Sequence, residues 1–161
     1  MNSQASTPQL PDAFSPHVTV ATVVERDGRF LFVEEHSEGA VVINQPAGHL
    51  EAGESLVEAA VRETLEETRW HVSIDAILGL GLYCSPNNGT TYQRTTFVAT
   101  ALHEDLEAVL DTGIIRSLWL SFEELQQRSE QLRSPMVIDC VQRYLDGHRY
   151  PLSLLNDCKP G

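Results

Sequence analysis

Apolar and polar positions along this chain switch between strand-like runs and helical spacing. His17 to Val24 is rich in Val and Thr behind Pro16 and reads as a strand. Arg29 to Glu35 reads as a second strand, and Asp27-Gly28 between them is a hairpin signal. Val41 to Asn44 reads as a short third strand. It leads into Gln45-Pro46-Ala47-Gly48, a loop whose backbone is set by Pro and Gly. His71 to Cys84, Thr91 to Leu102 and Ile114 to Leu120 complete the strand-like runs, the first two joined by a turn at Ser85 to Gly89. Helical spacing starts at Ser55-Leu-Val-Glu58, a capping box in which each end residue bonds the other's amide. The pattern predicts a helix from Leu56 with Val57, Val61, Thr64, Leu65 and Thr68 as its inward stripe. The Thr64 hydroxyl then needs a local partner such as the preceding turn's carbonyl. Ser121 caps a predicted helix over Phe122 to Gln131, and Pro135 opens a last one to about Leu145, stopped by Gly147. Strands followed by single helices predict an α+β, sandwich-like domain with helices packed on a mixed sheet.

Length fits that picture, since 161 residues make one compact domain. Residues 1–15, with two prolines and neither a basic start nor an apolar stretch, read as a flexible tail. Residues 16–155 read as the domain, and 156–161 as a C-terminal tail. No apolar run approaches the roughly 20 residues a membrane-spanning helix needs. Cys84, Cys140 and Cys158 are odd in number and lack metal-ligand spacing, which suggests reduced thiols and a cytoplasmic setting.

Charge narrows the partners further. Eleven Lys and Arg against 23 Asp and Glu give a net charge of −12, which disfavours a nucleic-acid polymer. The same field repels a small phosphorylated metabolite unless something reverses its sign locally, and a divalent cation does that.

One segment gathers acidic residues in a pattern with chemical meaning. On the predicted helix Glu63, Glu66 and Glu67 stand at i, i+3 and i+4, on one adjoining face. Each like-charged pair costs about 0.2–0.5 kcal/mol on an exposed helix, and a cation between them reverses the sign. Carboxylate oxygens are the ligands Mg²⁺ prefers, with phosphate oxygens and water completing its shell. Arg62, four residues before Glu66, is placed to pin a carboxylate. A merely solvated acidic face has the same spacing, so the three glutamates alone leave both readings open.

From Gly48 to Trp70 the chain resembles the box of the Nudix hydrolases, with Gly48, Glu54, Arg62, Glu63, Glu66, Glu67 and Trp70 in register. Two positions depart: Thr64 fills an apolar slot, and Arg69 replaces the glycine that ends the family's helix. The segments Pro16 to Ala21, Asn44 to Glu51, Leu132 to Pro135 and Arg149 to Leu152 are similar to a bacterial branch of that family. The resemblance implies an α/β/α sandwich, with the box helix and the C-terminal helices packed on a mixed sheet. It implies metal-dependent hydrolysis of a phosphoanhydride bond in nucleoside di- and triphosphates or thiamine-pathway pyrophosphates, releasing orthophosphate. Carried over by register, Glu66, Glu67, Glu63 and the Ala47 carbonyl would hold Mg²⁺, or Mn²⁺ in its place. Glu63 would also orient water, with Arg62 and Glu54 completing the catalytic network. The family often adds a carboxylate before its last core strand; Gly113 stands there, and Asp111 is the nearest carboxylate.

Substrate contacts have competing readings. His49 either donates to phosphate or sits exposed in its loop. Arg94, sharing a strand face with Tyr92 and Thr96, either binds phosphate or is a surface arginine. Tyr92 and Tyr83 either stack on a ring or pack, and Arg133 either meets an anion at the last helix start or belongs to its cap. Asp111 likewise either joins the site or bonds its own turn. Trp70 and Trp119 read as core. The expected partner is a small nucleotide or pyrophosphate, acting on a monomer or homodimer. The alternatives are a pyrophosphohydrolase of dinucleoside polyphosphates or nucleotide sugars and an inactive nucleotide sensor. The first would release nucleoside monophosphate; the second would dispense with the three glutamates, which are present.

Overall fold

The computed structural model describes residues 14–157. Most of both expected tails, and Cys158, lie outside the described residues. Seven strands form a mixed sheet: β1 (His17–Arg26), β2 (Arg29–Ser37), β3 (Ala40–Asn44), β4 (Ala47–His49), β5 (Trp70–Cys84), β6 (Thr91–Glu104) and β7 (Ile114–Leu120). The path runs β3-β2-β1-β6-β5, with β4 added on β1 and β7 on β2. Only β1 with β6 is parallel among the named pairings; the rest are antiparallel. Asp27 and Gly28 both take positive φ, 52° and 76°, as the tight hairpin between β1 and β2 requires.

Three helices cover the sheet: α1 (Leu56–Thr68), α2 (Phe122–Gln127) and α3 (Met136–Leu145). Strand alternation assigns them to opposite faces. Val20, Ile77 and Phe97 point into one cluster with Ala59 and Ala60 of α1. Val23, Leu78 and Val98 point the other way, against Leu125 of α2 and Val137, Cys140 and Val141 of α3. The expected α+β sandwich of helix, sheet and helix is present. Trp70 is buried and meets the half-buried Trp119 edge to face, ring centroids 5.6 Å apart.

Three expectations change. Residues 47–49, read as loop, form β4, because Ala47, Gly48 and His49 find free backbone partners on β1 at Ala21, Val20 and Thr19. The helix expected over Phe122 to Gln131 ends at Gln127, and a 3₁₀ turn takes over at Ser129–Gln131.

The third change is the inward face of α1. Its buried residues are Ala59, Ala60, Glu63, Thr64, Glu67 and Thr68, while Val57, Val61 and Leu65 are only half-buried. Small residues let the helix approach β1 closely. There the Thr64 hydroxyl donates to the Ala60 carbonyl (2.7 Å) and so accepts from Thr22 of β1 (2.8 Å). That rotation turns Glu63 and Glu67 inward, towards β4.

Candidate active site

The capping box of α1 is present, Ser55 accepting from the Glu58 amide at 3.1 Å and Glu58 accepting from the Ser55 amide at 2.7 Å. It fixes the helix start, and with it the heights of the glutamates above the sheet. Ligand oxygens of Glu63, Glu66 and Asp111 all lie within 4.8 Å of one another. Asp111 reaches them because its amide donates to the Glu66 carbonyl, 3.0 Å, which docks its turn on α1.

Arg62 is the hub of the cluster. It grips Glu54 through two bonds of 2.9 and 2.6 Å, and reaches Glu63 at 2.8 Å, Glu66 at 3.0 Å and the His49 carbonyl at 3.0 Å. Its hydrogen bonds to Glu54 hold that carboxyl below the usual range. One guanidinium serves Glu54 and two members of the cluster, so negative charge is left over. Burial, the largest influence, pushes the Glu63 carboxyl up, and the charges of Glu66 and Asp111 add to it.

Glu67 sits deeper. Its carboxylate accepts from the Ala47 amide at 2.9 Å, and burial pushes its pKa up to about 8. Gly48 shows why β4 needs a glycine. A Cβ there would overlap the Glu63 carboxyl group, well inside any tolerable contact. Hard oxygen donors, this close and under-neutralised, fit a divalent cation.

Beside the carboxylates opens a cavity of about 650 Å³. Glu63, Glu67, Gly48 and His49 line one part of it, and Tyr83, Tyr92, Arg94 and Arg133 another. Of the six residues considered for the substrate, His49, Tyr83, Tyr92, Arg94 and Arg133 line the cavity and Asp111 does not. His49 and Tyr92 form an aromatic group with His17, whose Nδ1 lies 3.2 Å from His49 Nε2. Partial burial, then His17, lowers the His49 pKa. Tyr83 is half-buried on the wall, and Arg133 points in from the segment before α3. Asp111 belongs to the carboxylate cluster rather than to the cavity wall. Arg94 is no surface arginine: it is 8% exposed and lines the cavity.

Glu35 is the residue that pattern reading missed. It is buried on β2, lines the cavity and pairs with Arg133 at 2.6 Å. Strand alternation held the signal, because Glu35 continues the inward row of Leu31 and Val33.

Comparison with known proteins agrees with the geometry. Residues 14–140 match the family described as the NUDIX domain. Phosphatase NudJ of Escherichia coli K12 is 41% identical over 149 residues, covering 89% of this chain and 93% of that one. A solved NUDIX hydrolase from Nitrosomonas europaea superposes with a TM-score of 0.90 at 42% identity, over 91% of this chain and 100% of the other. A UDP-X diphosphatase structure, at 20% identity and TM-score 0.68, covers 89% of this chain and 68% of its own, and shares the fold alone.

Proposed function

The chain belongs to the Nudix hydrolase family, and from that premise we propose that it cleaves a phosphoanhydride bond in a nucleoside di- or triphosphate or a thiamine-pathway pyrophosphate, releasing orthophosphate. The observation that carries this reading is the carboxylate group Glu63, Glu66 and Asp111, with oxygens within 4.8 Å of one another, beside the 650 Å³ cavity. The likeness to phosphatase NudJ supports orthophosphate as the product.

Glu63, Glu66 and Glu67, with the Ala47 carbonyl, are the groups we assign to hold Mg²⁺ or Mn²⁺; Asp111 is placed to join them. A bound divalent ion would neutralise phosphate charge and acidify water. The protein's own part is positioning. Arg62 locks the glutamate rotamers, with Glu54 fixing Arg62 in turn. Glu63, whose carboxyl lies against Gly48 and lines the cavity, orients the attacking water and takes its proton.

A product assay on nucleoside di- and triphosphates, thiamine diphosphate, a dinucleoside polyphosphate and a nucleotide sugar tests the reading. Orthophosphate should appear with Mg²⁺ or Mn²⁺ and vanish in excess EDTA. Nucleoside monophosphate without orthophosphate would favour the pyrophosphohydrolase alternative. Turnover undiminished by EDTA would overturn the metal assignment.

A further inference from the structure

Strand β5 closes one end of the sheet, so one of its edges faces outward. Natural sheets protect such an edge with charges, prolines, bulges or a covering segment, because its free amides and carbonyls invite another strand. The first part of β5 is protected in this way. Its register is broken at His71/Val72, Ile74/Ala76 and Ile77/Gly79, and Tyr150 exchanges both backbone bonds with Ile77, at 2.8 and 2.9 Å. Over residues 80–84 no such device stands among the described residues. The pairing with β6 runs unbroken there, and residues 76–93 include no charged side chain.

The backbone of this stretch is open. The Ser85 amide donates to the Thr90 carbonyl at 2.9 Å, at the mouth of the turn that joins β5 to β6. Alternation along an antiparallel strand then turns the backbone groups of Cys84, Leu82 and Leu80 away from β6. Among the described residues, no backbone partner meets them on that side. Leu80 and Leu82 are also 61% and 71% exposed. An open strand that carries apolar side chains is a pairing surface.

Charge names the occupant. Two copies of a chain carrying −12 repel one another over most of their surface. A contact between them needs a neutral face, and residues 76–93 supply it. A basic partner would seek the acidic surface that lies elsewhere. Shape agrees with charge. The open stretch is bounded by the Tyr150 contact at one end and by the Ser85 turn at the other, with Leu82 at its middle. Antiparallel pairing about Leu82 is self-complementary, as a two-fold axis requires.

We propose that two copies of the chain join through residues 80–84 of β5, antiparallel, into one continuous sheet with its two-fold axis at Leu82. Leu82 meets Leu82 of the partner subunit, and Leu80 meets Cys84 of the partner subunit. On the other face Gly81 lies across from Tyr83 of the partner subunit, and nothing within 4 Å of the place a Cβ would take obstructs the approach. The leucines of both copies leave water together. The dimer does not depend on the hydrolase reading.

Sedimentation velocity of the full chain in reductant, over a concentration series, tests this. Wild type should pass from monomer to dimer as concentration rises, and added salt should favour the dimer by screening the like charges. Leu82→Lys sets two like charges face to face on the edge. It should weaken the dimer about 10- to 100-fold, the span of a lost leucine contact. Because Leu82 is exposed in the single chain, circular dichroism of the variant should show the fold retained. A cross-link locates the axis. With Cys84→Ser and Cys158→Ser in place, Leu82→Cys should give a disulfide-linked dimer on mild oxidation. Paired Cα atoms there stand about 5.5 Å apart, within disulfide reach. Val109→Cys, 85% exposed before β7, is the control and should stay monomeric. A wild type that stays monomeric at the highest soluble concentration overturns the proposal. So does a dimer that Leu82→Lys leaves intact, or one that salt dissociates. Equal cross-linking of Leu82→Cys and Val109→Cys overturns it too, since that marks random collision.

Discussion

Arg69 ends α1 in the left-handed conformation, φ 65° and ψ 9°, with its amide donating to the Leu65 carbonyl at 2.8 Å. Its Nε is buried with no hydrogen-bond partner. A side chain in that backbone region costs about 1–2 kcal/mol, which glycine avoids. Arg69→Gly should therefore stabilise the protein by about 1 kcal/mol after the entropy glycine loses on folding, read as a higher urea midpoint with unchanged slope. Gly48 makes the opposite case. Gly48→Ala forces the Glu63 carboxyl aside, so metal affinity should fall about 10- to 100-fold, the usual cost of disturbing a ligand's support. Titration with Mn²⁺ checks this, and circular dichroism should show the fold retained. The Arg69 anomaly was legible in the sequence, because a departure from a known pattern stands out. The reason for Gly48 was not: a close approach between β4 and α1 belongs to tertiary structure, and nothing local announces it.

At the level of the element, α1 shows where periodicity stops informing. Its start was readable to the residue, since a capping box is chemistry between near neighbours. Its inward face was read from Val57, Val61, Thr64, Leu65 and Thr68; the two threonines are buried as read, yet the other buried residues are Ala59, Ala60 and two glutamates rather than the three aliphatic side chains. Hydrophobic pattern assumes that polar side chains face water, and a helix that builds a site breaks the assumption. Burial of Glu67 has a measurable cost. Its pKa is about 8 when folded against an ordinary 4.5, so without metal the native state holds a proton that the unfolded chain releases. The group's stabilising contribution is complete below about pH 4.5 and is lost as pH rises through about 8. In EDTA the melting temperature should therefore fall as pH rises across that window. Glu67→Gln should flatten the fall, and added Mg²⁺ should oppose it most at the alkaline end. A melting temperature in EDTA with equal pH dependence in wild type and Glu67→Gln would show that another group sets the slope.

On the scale of the whole molecule, the net charge of −12 and the site belong together. A phosphorylated ligand meets a repelling protein, and the cavity answers with Arg94, Arg133 and carboxylates arranged for a cation. Composition made that conflict visible, and only the fold showed which arginines stand at the cavity. The parallel pairing of β1 with β6 was likewise invisible in the sequence, because no local signal names a partner so far along the chain. That pairing, from His17↔Tyr92 to Val24↔Ala99, joins residues 75 positions apart. A truncation ending at residue 90 should show no cooperative thermal transition, while the full chain melts in one. The same long link sets a timetable for biosynthesis. A ribosome adding about 5–20 residues per second delivers β1 several seconds before β6. Throughout that interval a strand rich in valine waits with an open edge, and it is then that a nascent-chain chaperone would have its work to do.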